Sequence, residues 1–129
     1  MAPSGSGQAL QVELVAADRV VWSGEAARVL ARTASGDLGV LANHAPLLSL
    51  LVPGVVEIET TGGERVRAAV GDGFLSVSDN RVSILSEDTF LAEEIVESDA
   101  RAELERAAAD GDDLAALRAE AKLRVLQRS

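Results

Sequence analysis

The chain has 129 residues and a formal net charge of −9, with 47% hydrophobic residues, 2% aromatic and no cysteine. That length supports one well-buried domain with an appendage, while the acidic balance repels phosphate backbones and excludes nucleic acid as a partner. Without cysteine there are no disulfides, thiolate metal sites or cysteine nucleophiles.

From the N-terminus, "MAPSGSGQ" has neither a basic nor an apolar region, so residues 1–8 are expected to be a disordered leader and not a signal peptide. Ten of the eleven glycines precede residue 74, in a region where short apolar stretches alternate with turns. That rhythm predicts a β-sandwich of about ten short strands over residues 9–92. In "LQVELV", Leu10, Val12 and Leu14 face one way and Gln11 and Glu13 the other, the period of a strand covered on one face. "AARVLART" places Ala27, Val29 and Ala31 opposite Arg28, Leu30 and Arg32. "VVEIETTGGERVRAAV" predicts a hairpin turning at Gly62-Gly63, and "FLSVSDNRVSIL" a second one turning at Asp79-Asn80, with Leu75, Val77, Val82 and Ile84 directed to the core. The longest apolar run, Val40 to Val56, is interrupted by Asn43, His44, Pro46 and Pro53, so it is not a membrane span and no direct membrane insertion is expected.

Beyond Leu85 glycine nearly vanishes and alanine rises. Residues 93–129 are predicted to form an antiparallel two-helix hairpin: Ser98 caps the first helix, Ala100, Leu104, Ala107 and Ala108 form its thin apolar stripe, "DGDD" breaks it, and Asp112 or Asp113 caps the second. Residues 87–113 carry eleven carboxylates against Arg101 and Arg106, whereas residues 114–129 carry Arg118, Lys122, Arg124 and Arg128 against Glu120 alone. The last helix is locally basic, which reads either as a solvated face with cations near its C-terminus or as an element that docks on an acidic partner. An alanine-rich stripe buries little area, so the hairpin is expected to be weakly held.

Catalytic chemistry finds no support. His44 is the sole histidine, no Gly-x-Ser-x-Gly elbow accompanies it, and a histidine zinc site needs more than one imidazole. "DGDD" lacks the alternating ligands and the glutamate of a calcium loop, and "GDG" at 71–73 lacks the context of a phosphate cradle. The residues alone leave two readings open, an interaction or regulatory protein and a stand-alone β-sandwich binding module.

"VWSG" (21–24), "GDLGVLANHAPL" (36–47), "VPGVV" (52–56), "GDGFLSVSDNRVSIL" (71–85) and "AKLRVL" (121–126) occur in one order along nearly the whole chain. Together they resemble the epsilon subunit of bacterial F-type ATP synthases. The resemblance implies a non-catalytic central-stalk subunit that couples the membrane rotor ring to the gamma subunit during ATP synthesis. Its helical tail would contact the catalytic alpha and beta subunits and hinder ATP hydrolysis. It further implies a peripheral protein on the cytoplasmic face of the bacterial cell membrane, with no cofactor beyond regulatory ATP in some members. By the family motif, Asp37, His44 and Pro46 mark the interface to ring and gamma subunit; the basic face of Arg118, Lys122 and Arg124 has the right sign for the tail contacts to carboxylate-rich catalytic subunits. Arg101, Arg118 and Arg124 are the candidate contacts for ATP. Two positions depart from the pattern: Ala42 stands where the family usually has proline, and Ser98 where the ATP-binding members have an acidic residue.

Overall fold

The computed structural model describes residues 9–127, and the expected leader at 1–8 lies outside them. Nine strands are found among the described residues, against the ten or so expected: β1 (Leu10–Val15), β2 (Val20–Thr33), β3 (Gly36–Leu41), β4 (Leu47–Leu51), β5 (Gly54–Thr60), β6 (Arg65–Val70), β7 (Gly73–Ser78), β8 (Arg81–Ser86) and β9 (Thr89–Leu91). A single 3₁₀ turn, Ala92–Glu94, leads to two helices, α1 (Glu97–Asp110) and α2 (Asp113–Gln127).

The 14-residue β2 organises the sandwich because its two halves serve different layers. Its first half pairs with β1, which continues through β8 and β7 to β4. Its second half lies between β3 and β5, and that layer runs on through β6 to β9. Alternation along each strand sends Leu10, Leu14, Val29, Val40, Ile58, Leu75 and Ile84 into the space between the layers, all at 0% exposure. The predicted inward set Leu75, Val77, Val82 and Ile84 is buried as expected. Asp79 and Asn80 both adopt positive φ, 51° and 61°, and form a two-residue turn between the Ser78 and Arg81 partners. Their short polar side chains tolerate the left-handed backbone that such a turn requires.

Where β2 passes from one layer to the other, its period breaks. The pairing with β5 shifts between Ala26 and Arg28, so Ala26 is buried and Ala27, which alternation groups with Val29 and Ala31, is exposed. A bulge inserts one residue and reverses the inward parity upstream of it; Val29 and Ala31, downstream, share the buried face.

The hairpin lies on the outer face of the second layer. Helix α2 packs on β5 and β6, and α1 packs on α2. The apolar contact is small: Ala69 of β6 meets Ala121 and Val125 of α2, with Val55, Ala92 and Ile95 around them. Ala100 and Ala107 of the predicted α1 stripe are buried, Leu104 is half-buried and Ala108 is exposed. Helix α1 is capped at Val96, not at Ser98, and the cap makes no side-chain hydrogen bond among the described residues. Glu97 and Asp99 instead place carboxylates at the positive end of the helix dipole. Gly111, at φ 68°, ends α1, and Asp112 begins α2 by accepting a hydrogen bond from Ala115 N at 3.1 Å.

Candidate functional site

Three regions of the surface stand out, and the first two carry most of the predicted residues. The first is the connection between β3 and β4. His44 is half-buried there, and its Nδ1 donates to the Ala45 carbonyl at 2.7 Å. Asn43, at φ 69°, donates its amide to Asn80 Oδ1 and accepts from Asn80 Nδ2, so this connection is clasped to the β7–β8 turn. Exposed Pro46 fixes the chain as it enters β4. Asp37 is not part of this cluster. It lies near the start of β3, beside the turn whose Ala34 amide donates to the Leu50 carbonyl, and it pairs with Arg32 at 3.1 Å. The length of β3 therefore separates Asp37 from His44, and the motif reaches two surfaces.

The second region is the seam between hairpin and sandwich, where the predicted tail cations are found. Arg118 Nη2 donates to Asp72 Oδ1 at 3.3 Å. Its Nε is buried and lies 3.4 Å from Asp88 Oδ2, within ion-pair range but misaligned for a hydrogen bond, so that second contact is Coulombic. Lys122 spans the two helices: its Nζ contacts both oxygens of Glu103, at 2.9 and 3.2 Å, and sits 4.5 Å from the centre of the Phe90 ring. Arg124 is exposed.

Arg67 of β6, which the sequence did not single out, completes the seam. Its Nε contacts Glu57 at 3.3 Å, and its Nη1 donates to the Val125 carbonyl at 2.9 Å and the Arg124 carbonyl at 3.5 Å. A half-buried guanidinium thus satisfies carbonyls in the last turn of α2 and opposes the negative end of that helix. Only the long-range fold could reveal this, because donor and acceptor are 58 positions apart.

A cavity of about 430 Å³ opens between hairpin and sandwich, lined by Asp88, Phe90, Glu103, Arg106, Arg118 and Lys122 among others. A second, of about 360 Å³, lies beside Arg32, Asp37, Glu57, Arg67 and Arg124. The candidate nucleotide contacts do not converge. Arg118 lines the first cavity and Arg124 the second, while Arg101 is paired with Glu97 one turn away on exposed α1. Among the described residues no three His, Cys, Asp or Glu side chains are grouped to hold a metal ion, and no helix is long and apolar enough to cross a membrane.

The third region is the outer face of the first layer. Leu50, Phe74 and Leu85 are direct cross-strand partners on β4, β7 and β8, and each is roughly half exposed. The register continues the row to Val15 on β1 and Val20 on β2. Parity alone marks Phe74 and Leu85 as outward-facing, since their neighbours Leu75 and Ile84 are core residues.

A sandwich of this topology carrying a two-helix hairpin can be compared with known proteins. Residues 9–92 match the family described as ATP synthase, Delta/Epsilon chain, beta-sandwich domain. The ATP synthase epsilon chain of Streptomyces avermitilis is 56% identical over 117 residues, which cover 91% of this chain and 94% of that one. The chain belongs to the ATP synthase epsilon chain family. The epsilon chain of Corynebacterium urealyticum is 43% identical over 121 residues, covering 93% and 95%. Among solved structures, a chain of the Euglena gracilis mitochondrial ATP synthase, in an OSCP/F1/c-ring assembly, superposes with a TM-score of 0.72 at 27% identity, covering 98% of this chain and 86% of that one. A chain from the central stalk and c-ring of the Tetrahymena thermophila mitochondrial ATP synthase shares the fold, with a TM-score of 0.62 at 19% identity over 88% and 96%. Membership of the family sets aside the stand-alone binding module.

Proposed function

We propose that this chain is a non-catalytic rotor subunit in the central stalk of a proton-translocating F-type ATP synthase, peripheral to the cytoplasmic face of a bacterial cell membrane. In this reading the sandwich joins the membrane ring to the gamma subunit during ATP synthesis, and the hairpin acts as a brake on ATP hydrolysis by reaching the alpha and beta subunits. The observation that carries the reading is the family match across the entire sandwich in a chain whose hairpin is folded against it.

The same reading assigns the contacts. His44 and Pro46 at the clasped connection, and Asp37 at the far end of β3, serve as two separate contacts to the ring and the gamma subunit. The tail cations have a double use. Arg118 and Lys122 are held within the molecule when the hairpin is folded, so they become free for carboxylates of the catalytic subunits only when it opens.

The test is the ATP hydrolysis rate of a matching catalytic complex stripped of its epsilon subunit, measured with and without added chain, alongside its binding to the complex. Binding with slowed hydrolysis is the expected result. Binding without slowing removes the brake but keeps the coupling role, and absence of binding overturns the rotor assignment.

A further inference from the structure

The two cavities beside the hairpin differ in the sign of their charge. The walls of the larger carry four carboxylates against three cations, whereas those of the smaller carry three guanidinium groups, Arg32, Arg67 and Arg124, against two carboxylates, Asp37 and Glu57. Both of those carboxylates are engaged. Asp37 pairs with Arg32 at 3.1 Å, and Glu57 accepts from Arg67 Nε at 3.3 Å and lies 3.7 Å from Arg65. Arg67 also commits its Nη1 to the carbonyls of α2. Arg124 pairs with no carboxylate among the described residues, so in a chain of net charge −9 this cavity keeps one uncompensated cation.

The floor of the cavity comes from the strand register. Gly39 of β3, Leu30 of β2, Glu57 of β5 and Arg67 of β6 form one cross-strand row on the outer face of the second layer. The row begins with a residue that has no side chain, so a trough lies open over Leu30, which is 37% exposed. A Cβ on Gly39 would meet Leu30 Cδ2 at 3.3 Å and begin to fill it. Val55 adds to the apolar floor, and the last turn of α2 supplies Arg124 to the wall. The space of about 360 Å³ lies at the low end of the range for small-molecule sites. One uncompensated guanidinium above an apolar trough suits a single carboxylate with a hydrocarbon body: the fork takes both carboxylate oxygens while the body covers Leu30 and Val55. A polyanion suits it poorly, because its further charges would face Asp37 and Glu57. We propose that this cavity binds a small organic monocarboxylate, with its head on Arg124 and its apolar body in the trough beside Gly39. The inference goes beyond the rotor reading and does not depend on it, because the site needs only the hairpin folded beside the sandwich.

The experiment is an NMR titration of the full chain with hexanoate as the probe, following backbone amides and arginine Nε signals. Saturable shifts are expected at Leu30, Gly39, Val55 and the Nε of Arg124, with a Kd of about 1 mM for a ligand of this size. Acetate has the head without the body, and hexanamide the body without the charge; each should bind at least tenfold more weakly. Arg124→Gln should lower the affinity for hexanoate at least tenfold. Gly39→Val, which fills the trough, should abolish the shifts while the fluorescence of Trp22, the sole tryptophan, stays that of a folded sandwich. Leu30→Gln makes the floor polar without adding bulk and should also cost at least tenfold, which keeps the test decisive if Gly39→Val fails to fold. The absence of saturable shifts, equal affinities for hexanoate and either analogue, or undiminished binding by Arg124→Gln overturns the site. Displacement of hexanoate by an equal concentration of ATP overturns the monocarboxylate assignment by making the cavity part of a nucleotide site. None of these outcomes bears on the rotor reading, which is judged by binding to the catalytic complex.

Discussion

Substituting Val125 by alanine isolates the attachment of the hairpin from the stability of the sandwich. Val125 is 1% exposed and packs with Ala121 of its own helix and Ala69 of β6, so it is the one side chain larger than alanine among the three buried members of that contact. Val125→Ala removes two methyl-sized groups at about 0.8 kcal/mol each, or about 1.6 kcal/mol before any cavity cost. The backbone carbonyl that accepts from Arg67 is untouched by the change. If the hairpin opens as a unit, that loss raises its open population by roughly fifteenfold, at about 1.4 kcal/mol per factor of ten. Native-state hydrogen exchange reads this directly: amides of α1 and α2 should exchange faster by that factor, and those of β7 and β8 should not change. An equal rise across helices and strands would refute the reasoning, because hairpin and sandwich would then be a single cooperative unit. Unchanged exchange in α2 would refute it as well, by showing that the Val125 contact does not hold the hairpin.

Gly73→Ala tests the start of β7, where an added Cβ would sit only 2.0 Å from the Leu85 carbonyl oxygen. The strands must separate, so a loss of roughly 1–3 kcal/mol is expected in denaturant melts followed by Trp22 fluorescence, and wild-type stability would contradict it. Arg67→Met keeps the apolar stem but removes the donor to the carbonyls of Arg124 and Val125. Exchange should then rise at the C-terminal end of α2 by roughly a factor of ten, corresponding to about 1.5 kcal/mol for a hydrogen bond from a charged donor. A rise confined to α1 would count against the clamp. Arg124→Gln separates the two uses of the tail cations, because Arg124 is exposed and pairs with no carboxylate among the described residues. Its α2 exchange should match wild type while inhibition of ATP hydrolysis weakens and loses part of its salt sensitivity; full inhibition would exclude Arg124 as a docking contact.

Much of the sandwich was legible because alternation is a local signal. Leu10, Val12, Leu14, Leu75, Val77, Val82 and Ile84 are buried as their parity requires, and Asp79-Asn80 has the backbone its residue types favour. The failures occur where local signals compete. The bulge in β2 arises from one strand serving two layers, so nothing in "EAARVLA" marks which alanine turns outward. Ser98 is a good capping residue by type, yet the helix begins earlier, where Val96 is extended and the Glu97 and Asp99 carboxylates supply the favourable charge. Arg118 and Lys122 were recognised as a basic face, but their partners Asp72, Asp88 and Glu103 are distant in sequence, so a solvated face and an engaged one looked alike. The separation of Asp37 from His44 was hidden for the converse reason: seven positions are close in sequence, but an extended strand between them carries them apart at ~3.3 Å per residue.

The composition of the seam explains why the hairpin is fastened by charge. A leucine-rich contact would hold it with several kcal/mol per pair of side chains and make opening rare. Alanine facing alanine supplies far less, so Arg67 and Arg118 decide the balance. Their contributions differ in kind. Arg67 is only 13% exposed and binds backbone carbonyls, which no sequence change in α2 removes and salt screens weakly. Arg118 is 36% exposed and binds two carboxylates that lie open to solvent and to any basic partner. The end of α2 held by Arg67 is therefore the hinge side and the end held by Arg118 the release side. Rising ionic strength should loosen the hairpin first around Arg118, and amide exchange along α2 should show its gradient starting there and reaching Val125 last.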